Sequence, residues 1–316
     1  MSTESGIPDY RGNNGSYHRG HKPIIHHEFM SSEQQRKRYW GRSLVGYSPF
    51  ANAKPNLGHK ALAALEEKGW IGVDLKECTA FDFLGKSCFG NADRDETRRI
   101  SIITQNVDSL HSKAGVQNIL HLHGRGDLVR CMNCGTTRDR IGYHDQLIQW
   151  NQDWYEKVTA VGEDANDKKE LRPDGDAELG GVQYEELVLP PCPICGGKSS
   201  NDTSHDMAIN GNHQQEEQKS FFKTDVVFFG DSVPRHRFDI SHAAVDSADG
   251  ILCIGTSLAV HSAFRLVKRA IEQGTPVAIL NVGTTRVERE GLGDGLITKL
   301  ESPIGETLAE LVNMLD

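Results

Sequence analysis

The sequence lacks a long apolar run, a targeting pattern in its first residues and an excess of basic residues. It has no stretch near the roughly 18 apolar residues that a membrane-spanning helix needs. Its first residues show neither the basic-then-apolar order of a secretory signal nor the Arg-rich pattern of a transit peptide. The formal net charge is -9, with 25% charged residues, which argues against a general nucleic-acid-binding surface. We therefore expect a globular protein with no membrane span and no broad basic face.

The sequence also lacks internal repeats, an even number of cysteines and an ordinary dinucleotide-binding fingerprint. Seven cysteines in 316 residues form an odd set, which argues against a secreted disulfide framework. Reduced thiols, some of them metal ligands, are the expected alternative. There is no G-x-G-x-x-G with the spacing of a dehydrogenase, which weakens a hydride-transfer function.

What the chain does contain is an alternation of short apolar strands and amphipathic helices. The apolar segments predicted as buried parallel strands are residues 100–104, 226–229, 251–254 and 277–280. The predicted helices are residues 56–69, capped by Asn56 and ended by Gly69, then 262–273 and 306–315. Alternation of this kind predicts an α/β fold with an open, Rossmann-like parallel sheet and helices on both faces.

The alternation stops between residues 125 and 224, which we interpret as an inserted zinc-binding module. Its tract at about 199–219 is too poor in apolar residues to fold alone and is predicted to be disordered. Residues 1–124 and 225–316 form the predicted Rossmann-like domain, with 13–70 as its helical part. Residues 72–99 look like a second insertion, on a surface loop.

Two C-x-x-C pairs predict a structural metal site. Cys131 with Cys134 and Cys192 with Cys195 each place two thiols two residues apart, so that both sulfurs face one point about 2.3 Å away. Four cysteines close a tetrahedron around zinc and leave no open position for chemistry. Two redox pairs or unrelated thiols are the alternative. Glycines that permit tight turns follow both pairs, and Cys253 is expected in the core.

Polar residues follow the predicted strands, where an α/β sheet binds its ligands. Gln105, Asn106 and Asp108 come just after one strand, and GTS (255–257) and NVG (281–283) after two others. His121 and His123 lie nearby, and a neutral imidazole is a suitable general base. Taken alone, a plain turn and a structural histidine explain these features as well.

A series of motifs, taken in order, resembles the sirtuin (Sir2) family. The motifs are STESGIPDYRG, TQNVDSLH, LHG, the two C-x-x-C pairs, VVFFGDSVP, GTSLAV and NVG. This is the family of NAD-dependent protein deacylases and ADP-ribosyltransferases, and the motifs span nearly the whole chain. PNLGHKAL, RPDGDAEL and DVVFFGDSVP are most similar to the class II, mitochondrial sirtuin-4-like branch. The resemblance implies a mitochondrial matrix location, with the cytoplasm or nucleus as the alternative.

The resemblance also implies roles for individual residues. His123 corresponds to the general base, whereas His121 does not, and Asn106 and Asp108 act at the nicotinamide ribose. The positions that correspond to NAD contacts are Ser2, Thr3, Gly6, Ile7, Pro8, Asp9, Tyr10, Arg11, Gln105, Asn106, Val107, Asp108, Gly255, Thr256, Ser257, Asn281, Val282, Gly283 and Ile304. The positions that correspond to the acyl-lysine peptide site, where a peptide strand would add by β-augmentation, are Val227, Phe228, Phe229 and Gly230.

The implied reaction consumes NAD. The acyl oxygen of a modified lysine attacks C1′ of the nicotinamide ribose and nicotinamide leaves. His123 then removes a ribose hydroxyl proton, so that the acyl group migrates to the ribose. In the ADP-ribosyltransferase variant, a protein side chain captures the same carbon.

Two other hypotheses stay open at this point. Sirtuins present a strand and a Gly-Ala-Gly turn before the STESGIPDYRG loop, and this chain starts after them, so an incomplete sequence or an inactive, zinc-containing binding protein is an alternative. Without that strand the pyrophosphate would lose backbone N–H donors. A zinc-ribbon nucleic-acid binder is a weaker alternative, which the acidic segment between the cysteine pairs opposes. The acyl preference, the protein substrates and the oligomeric state are not predicted.

Overall fold

The computed structural model describes residues 1–10, 15, 23–75, 98–160, 172–177, 179, 181–196 and 220–315. Arg11 and the predicted insertion at about 199–219 lie outside the described residues. A short 3-10 helix, Ser2–Ser5, comes first. The elements that follow are α1 (His26–Ser31), α2 (Glu33–Asn52), α3 (Leu57–Glu67), β1 (Val73–Leu75), β2 (Arg98–Ile100), β3 (Ile102–Thr104), α4 (Leu110–Lys113), β4 (Ile119–His121), β5 (Gly124–Cys131), β6 (Thr137–Asp139), α5 (Arg140–Trp150), α6 (Gln152–Ala160), β7 (Phe222–Val226), α7 (Arg235–Asp246), β8 (Ile251–Ile254), α8 (His261–Glu272), β9 (Val277–Leu280), α9 (Arg286–Arg289), β10 (Ile297–Leu300) and α10 (Ile304–Met314).

The chain divides into two compact units, each of which is discontinuous in sequence. The first, here called the α/β unit, comprises Met1–Ile7, Ala53–Gly124 and Ser232–Asp316. The second, called the cysteine unit, comprises Pro8–Asn52 and Arg125–Asp231. The predicted division placed residues 13–70 with the Rossmann-like domain, whereas the structure groups residues 8–52 with the cysteines. The aromatic side chains of α1 and α2 explain the difference, because they share the core around the cysteines.

Parallel strands form the centre of the α/β unit. β8 pairs with β9 and β9 with β10, all in parallel, and β3 pairs in parallel with β4. The strand Ile251–Ile254 and the strand Val277–Leu280 have the predicted bounds. Residues 100–104 were predicted as one strand, but they divide at Ser101 between the antiparallel β1–β2 pair and β3.

Helices cover both faces of these strands, because successive strand side chains point to opposite sides. Val277 and Ile279 of β9 pack in one cluster with side chains of α7 and α8. Leu280, the next residue, packs instead with side chains of α3 and α10. Buried aliphatic side chains of this kind each contribute roughly 1.5–3 kcal/mol relative to exposure. The predicted core position of Cys253 is confirmed, since it is 7% exposed in the α7–α8 cluster.

The cysteine unit has a separate aromatic core. Strands β6, β5 and β7 form its sheet, in that order, and α2 packs near α5. Trp40 and Phe29 are fully buried there, and the indole N–H of Trp40 donates to the backbone oxygen of Phe222 at 3.0 Å. The helices α5 and α6 were not expected from the sequence, which showed no regular alternation in this region.

The prediction of a strand at residues 226–229 is wrong in its bounds. The strand is Phe222–Val226, and the chain turns at Gly230, where φ is +80°. Phe229 instead makes one isolated parallel bridge with Ile25, and its backbone oxygen accepts the His26 N–H at 2.8 Å. The apolar residues Val226, Val227, Phe228 and Phe229 look like a strand in sequence, but the backbone needed for pairing is used by the chain before α1. Over the described part of the chain, no helix has the length and apolar character that crossing a membrane requires.

Candidate functional site

The four paired cysteines come together in the cysteine unit. Their Sγ atoms all lie within 4.8 Å of one another. Cys131 Sγ is 3.7 Å from Cys195 Sγ, and Cys134 Sγ is 3.7 Å from Cys192 Sγ. A tetrahedral zinc with bonds of about 2.3 Å requires sulfurs about 3.8 Å apart. The cluster therefore fits a closed zinc site.

Each cysteine pair is held by the same turn. The Gly135 N–H donates to the oxygen of Cys131 at 3.0 Å, and the Gly196 N–H donates to that of Cys192 at 2.8 Å. Both glycines have positive φ, 73° and 53°, a conformation that side-chain-bearing residues seldom adopt. Burial raises the pKa of the Cys131 thiol. A bound cation would lower that pKa again, because it stabilises the thiolate. Gly197, also predicted to permit a turn, lies outside the described residues.

In the α/β unit, a polar cluster lies just after the carboxyl end of β3. The Ser2 hydroxyl donates to Asp108 Oδ2 at 2.6 Å and accepts from Asn106 Nδ2 at 2.9 Å. Asp108 is only 6% exposed, and its other oxygen accepts the Leu110 N–H at 2.9 Å, at the start of α4. The structure therefore joins the first residues of the chain to the TQNVD loop.

A second loop reaches the same end of the unit from β8. Gln105 Nε2 donates to Thr256 Oγ1 at 3.2 Å, so that the residues after β3 and β8 touch. Gly255 has φ +58°, and an added Cβ would lie 2.9 Å from Ile304 Cδ1 and 3.0 Å from Met1 N. The absence of a Cβ at this turn between a strand and a helix therefore makes room for Ile304 and for the first residue of the chain.

His123 lies after β4 and is hydrogen-bonded to a residue that the sequence did not single out. Its Nε2 is 2.7 Å from the hydroxyl of Ser262, in the first turn of α8. Burial lowers its pKa to about 4; a hydrogen bond with the Gln105 backbone acts against this, and the charge of Arg237 adds to it. The ring is therefore neutral at pH 7, the form that accepts a proton.

The predicted adenosine loop follows β9. Asn281 Nδ2 donates to the backbone oxygen of Val282 at 2.9 Å, and Gly283 has φ +83°. Val282 is 73% exposed, so this turn is open to a ligand. Ile304, predicted near adenine, begins α10 and packs with Met1 in one apolar cluster.

The first residues of the chain are anchored by a residue of the PNLGHKAL stretch. Asn56 Nδ2 donates to the backbone oxygen of Met1 at 2.9 Å and to the Ser5 hydroxyl at 3.0 Å. Its Oδ1 accepts the His59 N–H at 3.2 Å and so caps α3. One side chain therefore both starts a helix and holds the N-terminal turn. Asn56 was expected to cap a helix, but its second role was not foreseen.

The predicted site residues are divided between the two units. Ser2, Thr3, Gly6 and Ile7 are in the α/β unit, but Pro8, Asp9 and Tyr10 belong to the cysteine unit, and Arg11 lies outside the described residues. The predicted peptide-binding residues 227–230 also belong to the cysteine unit. The contact missed by sequence reasoning is Ser262, whose only signal was a hydroxyl two residues after the GTSLAV stretch.

Comparison with known proteins gives consistent results. The sequence profile of the Sir2 family matches residues 1–77 and 91–262. An NAD-dependent protein deacetylase of Xanthomonas axonopodis pv. citri (strain 306) is 38% identical over 311 residues, covering 98% of this chain and 83% of that protein. The NAD-dependent protein deacylase SIR4 of Monosiga brevicollis is 35% identical over 320 residues, covering 100% of this chain and 82% of that protein.

Solved structures show the same fold. A Sir2 homologue mutant in complex with ADP-ribose has a TM-score of 0.60 at 23% identity, covering 99% of this chain and 87% of that one. A Sir2 structure with a p53 peptide and NAD+ has a TM-score of 0.59 at 22% identity, covering 99% and 89%. The fold is therefore the Rossmann-like α/β fold of these proteins, with a small cysteine-containing unit. With the profile match over most of its length and relatives above 30% identity, this chain belongs to the Sir2 family.

Proposed function

We propose that this chain is an NAD-dependent protein lysine deacylase of the sirtuin type. The observation that supports it most directly is His123, whose ring is neutral at pH 7 and whose Nε2 is hydrogen-bonded to the hydroxyl of Ser262. In the same unit, the Ser2–Asn106–Asp108 cluster and the Gln105–Thr256 contact lie at the carboxyl ends of parallel strands. A base and polar donors at strand ends are what transfer from a nucleotide sugar requires.

NAD would be held by the α/β unit. When bound, it supplies an electrophilic ribose carbon and a nicotinamide leaving group. Gly255, Thr256 and Ser257 would hold its phosphates and one ribose, and Asn281, Val282 and Gly283 its adenosine end, beside Ile304. Gln105, Asn106 and Asp108 would bind the other ribose and the nicotinamide, with Ser2 as the contact from the N-terminal turn.

His123 would act as the general base. Since its pKa is lowered to about 4, the proton-accepting form is present throughout the neutral range and is lost only as pH falls toward that value. Removal of a hydroxyl proton by a positioned base contributes roughly 10²–10⁴-fold to a rate.

We propose ADP-ribose transfer to a protein side chain as a second outcome at the same site. The hydrogen bonds that organise the proposed NAD contacts belong to the α/β unit, whereas the residues predicted to bind the acyl-lysine peptide, 227–230, belong to the cysteine unit. An acceptor other than an acyl-lysine would therefore meet the same bound nucleotide.

We propose a structural Zn²⁺ on Cys131, Cys134, Cys192 and Cys195. Four thiol ligands leave no coordination position for a substrate, so the ion would stabilise the cysteine unit and take no part in the reaction.

The test is nicotinamide release from NAD in the presence of an acylated peptide series or a protein acceptor. Release over many turnovers is expected from the wild-type chain and should be lost, together with the acyl product, in His123→Ala, because turnover cannot pass the step that needs the base. His242→Ala is the matched control, because His242 lies on α7 and its Nδ1 contacts the backbone oxygen of Phe238 instead. An absence of nicotinamide release for every acyl group and acceptor would overturn the proposal.

A calorimetric titration with NAD separates the deacylase from the alternative of a non-catalytic binding protein. Binding of NAD with ordinary affinity, together with turnover, is expected for the enzyme. A chain that folds and holds zinc but binds no NAD would instead be the binding protein.

A further inference from the structure

The hydroxyl of Ser262 is hydrogen-bonded to Nε2 of His123, the proposed general base. The two atoms are 2.7 Å apart, a typical distance for a strong hydrogen bond. Both residues are partly buried, and both belong to the α/β unit. Ser262 is the second residue of α8, whose first turn is fixed by N–H donation from Ala263 and Phe264 to the oxygen of Val260.

The surroundings of the ring determine which of its nitrogens carries the proton. A hydrogen bond with the Gln105 backbone raises the pKa of His123, as a ring N–H donating to a carbonyl oxygen does. With Nε2 facing Ser262, this donor is Nδ1. We therefore assign the Nδ1–H tautomer to the neutral ring, in which Nε2 carries the lone pair and the Ser262 hydroxyl, 2.7 Å away, donates to it.

An imidazole nitrogen has one lone pair, whereas a hydroxyl oxygen has two. While Ser262 donates to Nε2, a substrate hydroxyl cannot donate to the same atom. It can donate to Oγ of Ser262, which still has acceptor capacity. Among the described residues, this hydroxyl forms one hydrogen bond, the one with His123.

We propose that Ser262 relays a proton from a substrate hydroxyl to His123. This inference depends on the proposed function, because it concerns the same base. In the relay, the substrate O–H bond breaks and its proton bonds to Oγ of Ser262. The proton that Oγ held bonds at the same time to Nε2 of His123. The serine ends neutral, the imidazole ends as a cation, and the substrate oxygen gains the electron pair needed for attack, so no further reactant is required.

The first experiment uses the protein without NAD. Histidine ¹⁵N and ¹³C NMR would be recorded against pH for the wild type, Ser262→Ala and Ser262→Thr. A hydroxyl that donates to the neutral ring favours that form, so Ser262→Ala should move the His123 titration upward by about 0.5–1 pH unit. Ser262→Thr should keep the wild-type position. Arg237 on α7, the charged group acting on the ring, is unchanged in all three. Identical titrations in all three would overturn the proposal.

The second experiment compares two steps of turnover. Ser262→Ala should lower acyl-product formation roughly 10²-fold or more, while exchange of labelled nicotinamide into NAD persists, because that exchange needs no base. Ser262→Thr should keep product formation near the wild-type rate, because it retains a hydroxyl. A proton inventory of the wild type should show that two protons move in the step. Ser241→Ala is the matched serine control, since its hydroxyl donates to the backbone oxygen of Phe238.

The outcomes distinguish the relay from the proposed function. Normal product formation in Ser262→Ala, or a proton inventory with one proton, would overturn the relay while leaving the deacylase intact. Loss of both product and exchange in Ser262→Ala but not in Ser262→Thr would mean that the hydroxyl serves binding, which also overturns it. If the wild type releases no nicotinamide, the deacylase fails, and the NMR titration still tests the Ser262–His123 contact.

Discussion

The cysteine cluster and the polar site after β3 differ in how their reactive atoms are held. In the cluster, four sulfurs face one another, and the turns that carry Cys131 and Cys192 are closed by their own backbone hydrogen bonds. In the polar site, single side-chain hydrogen bonds between distant loops join Ser2 to Asp108 and Gln105 to Thr256. A closed set of ligands suits a permanent ion, whereas loosely joined donors can rearrange around a substrate.

The largest expected effect tests whether the cluster is structural. Cys131→Ser should abolish stoichiometric zinc and unfold the cysteine unit, because structural zinc sites supply on the order of 10 kcal/mol in small domains. Metal analysis and a thermal melt measure this. Cys253→Ala, in the apolar core of the α/β unit, should keep one zinc per chain. Full folding of Cys131→Ser without metal would remove the contrast between the two sites.

A pair of glycines tests how tightly the cysteine unit is packed. A Cβ on Gly46 of α2 would lie 2.5 Å from the backbone oxygen of Gly175, so Gly46→Ala should destabilise by about 3 kcal/mol. A Cβ on Gly142 of α5 meets nothing within 4 Å, so Gly142→Ala should stabilise by about 0.5–1 kcal/mol. Urea unfolding of both variants gives the answer. Equal effects would contradict the close approach.

In the α/β unit, two buried histidines should make the free energy of unfolding depend on pH. Burial lowers the pKa of His59 to about 3 and that of His123 to about 4. The unfolded chain therefore binds more protons than the folded one below about pH 6.5. The free energy of unfolding should have its full value above that pH. It should fall by more than about 1 kcal/mol as the pH drops toward 4. His59→Gln should reduce this loss, and an unchanged slope would argue against burial of a neutral ring.

The smallest effect concerns Asn56, which joins the N-terminal turn to α3. Asn56→Ala should cost about 1 kcal/mol through the lost cap and should also weaken NAD binding. Asn56→Asp keeps a capping oxygen but loses the amide donor to Met1 and Ser5, so it should retain stability and still bind NAD less well. Calorimetry and thermal melts on both variants separate the two roles. Stability and NAD binding of Asn56→Asp that both match the wild type would mean that the cap alone matters.

Much of the α/β unit could be predicted from sequence, because its signals are local. The apolar runs at β8 and β9 and the Asn56 cap of α3 appear where they were expected. The bounds of β7 were wrong because Phe229 uses its backbone with His26, a partner about 200 positions away in the chain. The C-x-x-C spacing predicted the cysteine cluster for a local reason too, since two residues between thiols set the turn.

The sequence by itself determined the family, the α/β class and the four cysteines that converge, because motif order and short-range spacing carry that information. Only the tertiary structure decided that residues 8–52 belong with the cysteines, that Asn56 holds Met1, and that Ser262 contacts His123. The last two are side-chain contacts across 55 and 139 positions, which no local pattern encodes. They exist because the ends of β4 and β8 and the start of α3 pack into one unit, and packing brings together residues that the chain keeps apart.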